Sequence, residues 1–434
     1  MHGVFLFECV ILTKEKQLES NTKMRISKDK GPKLKILMQF VENTLAYALP
    51  VFFQQFIVYP LMANKLGAEI NGQFLALIAL NYFVLNVTVT VLVNVRLLKN
   101  QKYDEQGLKG DFNIFLLIFA VLNTAIIIGG SIFYIGDVIT PTDLLLSVLV
   151  VLLFTYHDYI NVQYRLELRF RNILINNLLI CVGYLIGLAV LYYILPYWQV
   201  VFIVPYIMTA IYDYCHTDYI KEPIRKTPLF NDTAKQYFLL LSSSLLSTVV
   251  TYGDRLILYP LMDGVSVSVF TSAQLVGKML QMVATPVATF LLSYLVKSKV
   301  KHLQIKWQYI PALIGVCVVM YFGCLIVSGP LIGFLYPEWA QQSLEYVPWT
   351  AFNGVIHMIN VLVNVFVLRM CAAKWQIVKS GIYLVSYMLF SFTLLSIMGL
   401  TGFCIGNACA SLIELGLLVG ILFREKALVW ERKK

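Results

Sequence analysis

The chain has 434 residues, of which 59% are hydrophobic and 13% are charged, against roughly 45–50% and 25% in a typical soluble protein. Water-soluble cores cannot bury so large an apolar excess, whereas about twelve membrane helices of about 20 residues would account for most of it. The composition therefore excludes a soluble enzyme, a secreted disulfide-stabilised domain and a nucleic-acid-binding domain, despite a net charge of +10.

Taken in chain order, the apolar stretches predict twelve membrane-spanning segments, which we number as spans 1 to 12. They lie at 36–62, 73–95, 112–135, 143–164, 173–195, 197–217, 236–261, 267–295, 308–330, 346–368, 377–398 and 400–423. Each has the length of about 20 residues that a helix needs to cross the hydrocarbon core. The predicted fold class is an all-α polytopic membrane protein.

The basic residues are distributed unequally between the two sides of these spans. Of the 34 Lys and Arg, 31 fall in segments on one side, Lys65 stands alone on the other, and Arg255 and Lys278 lie within spans. The positive-inside rule gives this pattern for an even number of spans with both termini in the cytoplasm. The charge therefore indicates topology, and we expect a multi-pass protein of the cytoplasmic (inner) membrane that contacts membrane lipids and binds no nucleic acid.

The most polar connection between spans predicts a division into two halves of six spans each. We expect a basic segment at 1–35, a six-helix bundle at 36–217, a linker at 218–235, a second six-helix bundle at 236–423 and a basic tail at 424–434. The two basic segments and the linker are predicted to be cytoplasmic. Because residues 1–23 lack the basic start of a signal peptide, Met24 is the expected natural start.

A short internal echo favours related halves. Ile57–Met62 ends span 1, Ile257–Met262 ends span 7, and both contain Tyr-Pro-Leu-Met. Since both halves begin on the same side of the membrane, such a repeat would be parallel, about an axis along the membrane normal.

The sequence contains none of the common motifs of catalytic, nucleotide or metal sites. HExxH, Walker A, CxxC and GxSxG patterns are all missing. The connections between spans are also too short for an appended catalytic domain. We therefore predict no catalytic residue, no metal and no cofactor, and do not expect an enzyme.

Two cations inside predicted spans are candidates for substrate binding, because each charged residue at a helix centre costs about 2.5–3.5 kcal/mol on insertion scales. Arg255 in span 7 and Lys278 in span 8 would line a water-filled cavity and bind an anionic substrate. In the alternative interpretation, Asp254 pairs with Lys278 and Arg255 reaches the outer interface. Asp254 and Arg255 point about 100° apart on a helix, so they cannot simply neutralise each other side by side.

Other polar residues within spans have two interpretations each. Glu42 is an inner gate or proton acceptor, or a plain interfacial residue, and Glu414 is a proton-coupling group or an interhelical hydrogen-bond donor as the neutral acid. Asn353, His357 and Asn360 share one face of span 10. That stripe suits a hydrophilic lumen for sugars, but hydrogen bonding between helices, with His357 as a core histidine, explains it too.

Four stretches resemble the Wzx-type polysaccharide flippases of the multidrug/oligosaccharidyl-lipid/polysaccharide exporter superfamily. They are LMANKLGAEINGQF at Leu61–Phe74, the span 4 to span 5 hairpin at Tyr164–Tyr193, DRLIL at Asp254–Leu258, and Pro330–Cys371, which includes GFLYPEWAQQSLEYVPW. The likeness covers residues 34–425. One departure is DGVSVSVF at Asp263–Phe270, where the repeat predicts a second Leu-Gly connection.

The resemblance implies two six-helix bundles around a central cavity. It also implies translocation of undecaprenyl-diphosphate-linked oligosaccharides from the inner to the outer leaflet, for O-antigen, capsule or exopolysaccharide synthesis. A polysaccharide polymerase and a chain-length regulator are the further partners that such a pathway implies. The family has no shared catalytic motif to transfer to this chain.

Two other functions compete with this one. A cation-coupled drug or metabolite exporter of the same superfamily would favour an acidic cavity, and Arg255 and Lys278 count against it. A membrane polysaccharide polymerase or ligase would need a large extracytoplasmic loop, which the sequence lacks.

Overall fold

A computed structural model of the protein describes residues 48–136, 139–167, 169–297, 303–305, 309–372, 374–425 and 428–430. Within them a π-helix at Gln54–Val58 is followed by α1 (Tyr59–Val87), α2 (Val89–Glu105), α3 (Asp111–Ile135), α4 (Pro141–Leu166), α5 (Phe170–Tyr193), α6 (Val200–His216), α7 (Phe230–Leu261), α8 (Gly264–Ala273), α9 (Leu275–Lys297), α10 (Tyr309–Leu335), α11 (Ala340–Met370) and α12 (Lys374–Arg424). Two three-residue strands, β1 (Leu303–Ile305) and β2 (Leu428–Trp430), pair in parallel. The predicted all-α polytopic class is confirmed.

Seven helical stretches of the described residues are long and apolar enough to cross a membrane. The two longest, Ala48–Glu105 and Lys374–Arg424, contain 58 and 51 residues, although about 20 residues suffice for one crossing. Each is interrupted by a glycine with positive φ, 76° at Gly67 and 60° at Gly399. Such a conformation is strained for a residue with a Cβ atom, so these glycines provide the breaks.

The chain reverses direction at Gly399, so that α12 forms an antiparallel hairpin. The Ser391 hydroxyl donates to Asn407 Oδ1 at 2.9 Å, and Lys379 Nζ lies 3.2 Å from Glu414 Oε1. Both pairs are centred within a few residues of Gly399, as a hairpin requires. The two arms correspond to the predicted spans 11 and 12. The hydrogen bond from Gln54 Nε2 to Tyr82 Oη, at 2.8 Å, likewise joins two residues that lie about equally far along the chain from Gly67.

The described chain forms two compact units. The first contains residues 48–65 and 76–248, and the second contains Leu66–Leu75 and the described residues from Val249 onward. The boundary between them along the chain lies inside α7. The sequence-based division, with a linker at 218–235, stays a prediction.

Close helix contacts in the first unit depend on glycine. Gly183 and Gly187 of α5 face the backbone of Pro205 and Val201 of α6, where a Cβ atom on either glycine would collide. This approach joins α5 and α6 in an antiparallel pair, further connected by a hydrogen bond from Asn176 Nδ2 to Asp213 Oδ1 at 2.7 Å.

In the second unit, α9 packs in parallel against α11. Gly277 and Gly354 meet at the crossing, where neither has space for a Cβ atom. One turn away, the Thr350 hydroxyl donates to the Ala273 carbonyl at 2.8 Å. This packing fixes the position of α9, the helix that carries Lys278.

The connection between α6 and α7 is held to the first unit by many polar contacts. The Asp111 carboxylate, which has no exposed surface, accepts hydrogen bonds from the backbone N–H of Thr227 and from the Tyr103 hydroxyl, both at 2.7 Å. The Asn113 amide donates to the Glu222 carbonyl at 2.9 Å, and Arg96 forms an ion pair of 2.7 Å with the Glu222 carboxylate. Polar groups of the predicted linker therefore form hydrogen bonds and an ion pair with residues of this unit.

Candidate substrate-binding and coupling site

The second unit contains seven of the eight candidate site residues, which are Asp254, Arg255, Lys278, Asn353, His357, Asn360 and Glu414. The eighth, Glu42, lies outside the described residues. The seven residues form two groups. Asp254, Arg255 and Lys278 are charged and lie on α7 and α9, and the other four form a polar cluster between α11 and α12.

Arg255 and Lys278 are close to each other but do not form ion pairs. The Arg255 side chain is 8% exposed, and its Nε has no hydrogen-bond partner. Lys278 lies within electrostatic range of both Arg255 and Asp254. Among the described residues, neither cation has a salt-bridge partner, and Asp254 Oδ1 accepts from the backbone N–H of Arg255 at 2.8 Å. Anion binding by these two cations stays a prediction, as does the alternative Asp254–Lys278 pair.

The second group, which we call the Glu414 cluster, consists of Asn353, Asn360, Lys379, Ser411 and Glu414. Glu414 Oε1 lies 3.2 Å from Lys379 Nζ, and Glu414 Oε2 accepts from Asn360 Nδ2 at 2.9 Å. The Ser411 hydroxyl donates to Asn353 Oδ1 at 2.6 Å. Both carboxylate oxygens of a nearly inaccessible acid are thereby satisfied.

His357 and Tyr383 lie at the edge of the Glu414 cluster. His357 is within electrostatic range of Glu414 and Lys379. Tyr383 of α12 hydrogen-bonds to the Ser411 side chain and is within electrostatic range of both Glu414 and Asp254. Tyr383 thus lies between the Glu414 cluster and the charged residues on α7 and α9.

Sequence reasoning missed Lys379, Tyr383 and Ser411. Lys379 was counted with the cytoplasmic charges after span 10, but it lies inside α12 and its side chain is only 13% exposed. The available signal was a lysine at the start of an apolar span that contains a buried glutamate on the returning arm. To pair this lysine with that glutamate, one must know which residues of the two arms of α12 lie opposite each other, and the sequence does not provide that register.

These two groups contain more cations than anions. Three cations, Arg255, Lys278 and Lys379, are accompanied by two acids, Asp254 and Glu414; Arg255 and Glu414 are buried and the other three are partly buried. An uncompensated charge in a bundle interior is costly, and an anion would relieve that cost. Within the described residues, no three His, Cys, Asp or Glu side chains converge in a way that could hold a metal ion.

No protein-family model matches the chain, and no curated protein sequence matches it. Solved structures do. One is described as "Lipid II flippase MurJ, inward closed conformation", with a TM-score of 0.64 and 15% identity over 91% of this chain and 88% of that one.

Two further structures are described as MATE proteins. "Inward-facing conformation of a multidrug resistance MATE family transporter of the MOP superfamily" gives a TM-score of 0.61 and 13% identity over 89% of this chain and 98% of that one. "Crystal structure of MATE in the bent conformation" gives 0.57 and 14% over 91% and 96%. The chain has the fold of these membrane transporters, and it is a multi-pass membrane protein.

Proposed function

We propose that this protein is a flippase that moves undecaprenyl-diphosphate-linked oligosaccharides from the inner to the outer leaflet of the cytoplasmic membrane, for synthesis of O-antigen, capsule or exopolysaccharide. The observation that carries the proposal is a pair of cations in the second unit, Arg255 and Lys278, for which the described part of the chain offers no salt-bridge partner. A fold shared with a lipid flippase supports it.

The two cations suit a diphosphate for different reasons. A guanidinium donates two parallel hydrogen bonds to phosphate oxygens, so Arg255 would fix orientation as well as charge. Lys278 would add a point charge without geometric demand. Asn353, His357 and Asn360 would supply hydrogen bonds to sugar hydroxyls.

A drug or metabolite exporter coupled to a cation is the alternative within this fold, since MATE transporters share it. Such a protein would present a carboxylate to a cationic substrate. Glu414 offers little for that purpose because Lys379 and Asn360 occupy both its oxygens. A polymerase or ligase is disfavoured because it would need a large loop outside the membrane. The connection between predicted spans 9 and 10 has only a few residues, since α10 ends at Leu335 and α11 begins at Ala340.

The same proposal includes an inner-membrane location with both termini cytoplasmic, and transport without enzymatic chemistry. The polymerase and chain-length regulator of the pathway would receive the product in the outer leaflet.

The decisive experiment replaces the cations and measures surface polymer and protein abundance together. We expect Arg255→Ala and Lys278→Ala to retain normal abundance while surface polysaccharide falls at least tenfold and the lipid-linked intermediate accumulates. Arg255→Lys should retain part of the surface polysaccharide, because it keeps the positive charge but loses the two parallel hydrogen bonds of the guanidinium. Glu345→Gln, a charge change on α11 outside both groups, is the matched control and should leave polymer unchanged. Normal polymer in the Arg255→Ala, Lys278→Ala double variant would remove both residues from the site.

A further inference from the structure

A second buried ionisable pair, between α4 and α6 of the first unit, has no role in the proposed transport site. His157 and Asp213 have side chains that are 8% and 0% exposed, and His157 Nδ1 lies 3.7 Å from Asp213 Oδ2. Neither of these two atoms has a hydrogen-bond partner. Two unsatisfied polar atoms therefore face each other inside the bundle.

The other oxygen of Asp213 is well satisfied. Asp213 Oδ1 accepts from the Tyr164 hydroxyl at 2.9 Å and from Asn176 Nδ2 at 2.7 Å. Both donors are neutral, and in the described part of the chain no Lys or Arg side chain forms a salt bridge with this carboxylate. The charge of Asp213 is consequently uncompensated unless the pair takes up a proton, and uncompensated buried charge is unfavourable.

The tautomer of His157 follows from its neighbour Asn161. The Asn161 amide nitrogen donates to the His157 carbonyl at 2.9 Å and lies 3.0 Å from His157 Nε2. Because the carbonyl can only accept, the amide nitrogen must stay on this side, and Nε2 is the acceptor of its second N–H. The neutral ring then carries its proton on Nδ1, towards Asp213.

The pair in this state has a net negative charge and two sites for one further proton, His157 Nε2 and Asp213 Oδ2. We propose that His157 and Asp213 form a proton-binding site of the first unit, which takes up one proton from water and becomes electrically neutral. A proton on Nε2 abolishes the acceptor for Asn161, so the amide must rotate and the bond to the His157 carbonyl breaks. Proton uptake at Nε2 is thereby linked to a rearrangement of the Asn161 side chain, whereas uptake at Asp213 Oδ2 leaves that side chain in place.

The charged groups near the pair lie on α4, α5 and α6. Asp158 and Arg165 lie on α4 with His157, Arg171 lies on α5 beside Tyr212, and the exposed His216 follows Asp213 on α6. Tyrosine hydroxyls stay neutral near physiological pH. His216 is the neighbouring histidine, so one control must remove it. Asp158 is the neighbouring acid within electrostatic range of His157, so Asp158→Asn is a second control and should keep the wild-type slope.

The test is the melting temperature of the purified protein in lipid nanodiscs between pH 6 and 8, which needs no transport assay. The proposed proton binding means that the folded pair binds one proton more than the unfolded chain near neutral pH, so the stability that it contributes is present at the lower pH and is lost as pH rises. We expect the wild type to lose about 5 °C over this range. His157→Gln and Asp213→Asn should each flatten the profile, and Asp213→Asn should melt higher than the wild type at pH 8.

His216→Gln is the matched control, since it removes an exposed histidine at the same end of the bundle and should keep the wild-type slope. A wild-type slope in both His157→Gln and Asp213→Asn, or transfer of the effect to His216→Gln, would overturn the proposal. Asp213→Asn preserves the shape of the side chain and its bonds to Tyr164 and Asn176, so a folding failure of His157→Gln alone leaves the test intact.

Discussion

The two units treat buried charge differently. In the first unit the buried cation Arg96 is enclosed by an ion pair with Glu222 and by the rings of Phe112 and Tyr219. In the second unit Arg255 and Lys278 lie close together without a salt-bridge partner among the described residues. Removing one partner of a paired buried charge destabilises a structure, whereas a charge without a partner persists when an external ligand can supply one. The contrast separates structural cations from candidate binding cations.

The sharpest test of this contrast concerns Lys278. Because it has no ion pair to lose, Lys278→Met should leave the melting temperature unchanged or raise it, while flipping falls at least tenfold. Both quantities can be measured on one preparation, by thermal melting and by transfer of a lipid-linked oligosaccharide across vesicle leaflets. A large loss of stability would contradict the assignment of Lys278 as a binding cation.

Lys379 should behave in the opposite way, although it belongs to the same unit. Lys379→Met leaves Glu414 charged and buried, which costs about 3–5 kcal/mol for a broken buried pair. We expect lower abundance and a lower melting temperature. Adding Glu414→Gln should restore much of the loss, because the carboxamide needs no counter-charge, and a double variant no better than Lys379→Met would disprove the pairing.

The first unit should lose stability when the connection between α6 and α7 is detached. Asp111→Ala removes the acceptor for the Thr227 N–H and the Tyr103 hydroxyl, and about 1–3 kcal/mol is expected for buried donors left unsatisfied. Limited proteolysis within 218–229 should accelerate in parallel. Resistance equal to that of the wild type would show that other contacts hold the segment.

A smaller effect is expected where helices of the second unit approach closely. Gly354→Ala places a methyl group against Gly277 and should cost about 1–3 kcal/mol through overpacking. Gly323→Ala on α10 meets open space and is the matched control, with no loss expected. Comparable melting temperatures of the two variants would argue against the α9–α11 contact.

The smallest effect is expected for an exposed charge of the first unit. Hydrogen bonds and charge from Lys99, and then Lys102, lower the pKa of Asp232. Its contribution to stability is present above the ordinary carboxylate pKa and is lost as pH falls through the lowered value. Because the carboxylate is open to solvent and salt screens it, Asp232→Asn should not change the melting temperature measurably at neutral pH.

Hydropathy and charge predicted the helical fold because both depend on local sequence. The hydrocarbon thickness selects segments of about 20 apolar residues wherever they occur. The partner of each buried polar residue could not be predicted in this way. Glu414 with Lys379, and Asp213 with His157, are pairs on separate helical segments, and their contact depends on hairpin register and helix rotation.

The candidate site was therefore only partly accessible from the sequence. Arg255 and Lys278 stood out because charge inside an apolar span is rare. His157 and Asp213 did not, because both lie near predicted span ends where solvation is the ordinary expectation. In the structure both are buried, and Asp213 is covered by Asn176 of α5 and Tyr164 of α4, which donate hydrogen bonds to it.

The bonded connection between α6 and α7 decides where a reporter or affinity tag can be inserted. The backbone of Arg225 packs against Gly110, which has a φ of 126° and no space for a Cβ atom, so a fusion at Arg225 would separate the connection from the helices that hold it. Gly107 is exposed and has open space around it. A fusion there should report the same side of the membrane while preserving the fold, and a split gene for co-expression of the halves should likewise avoid 218–229.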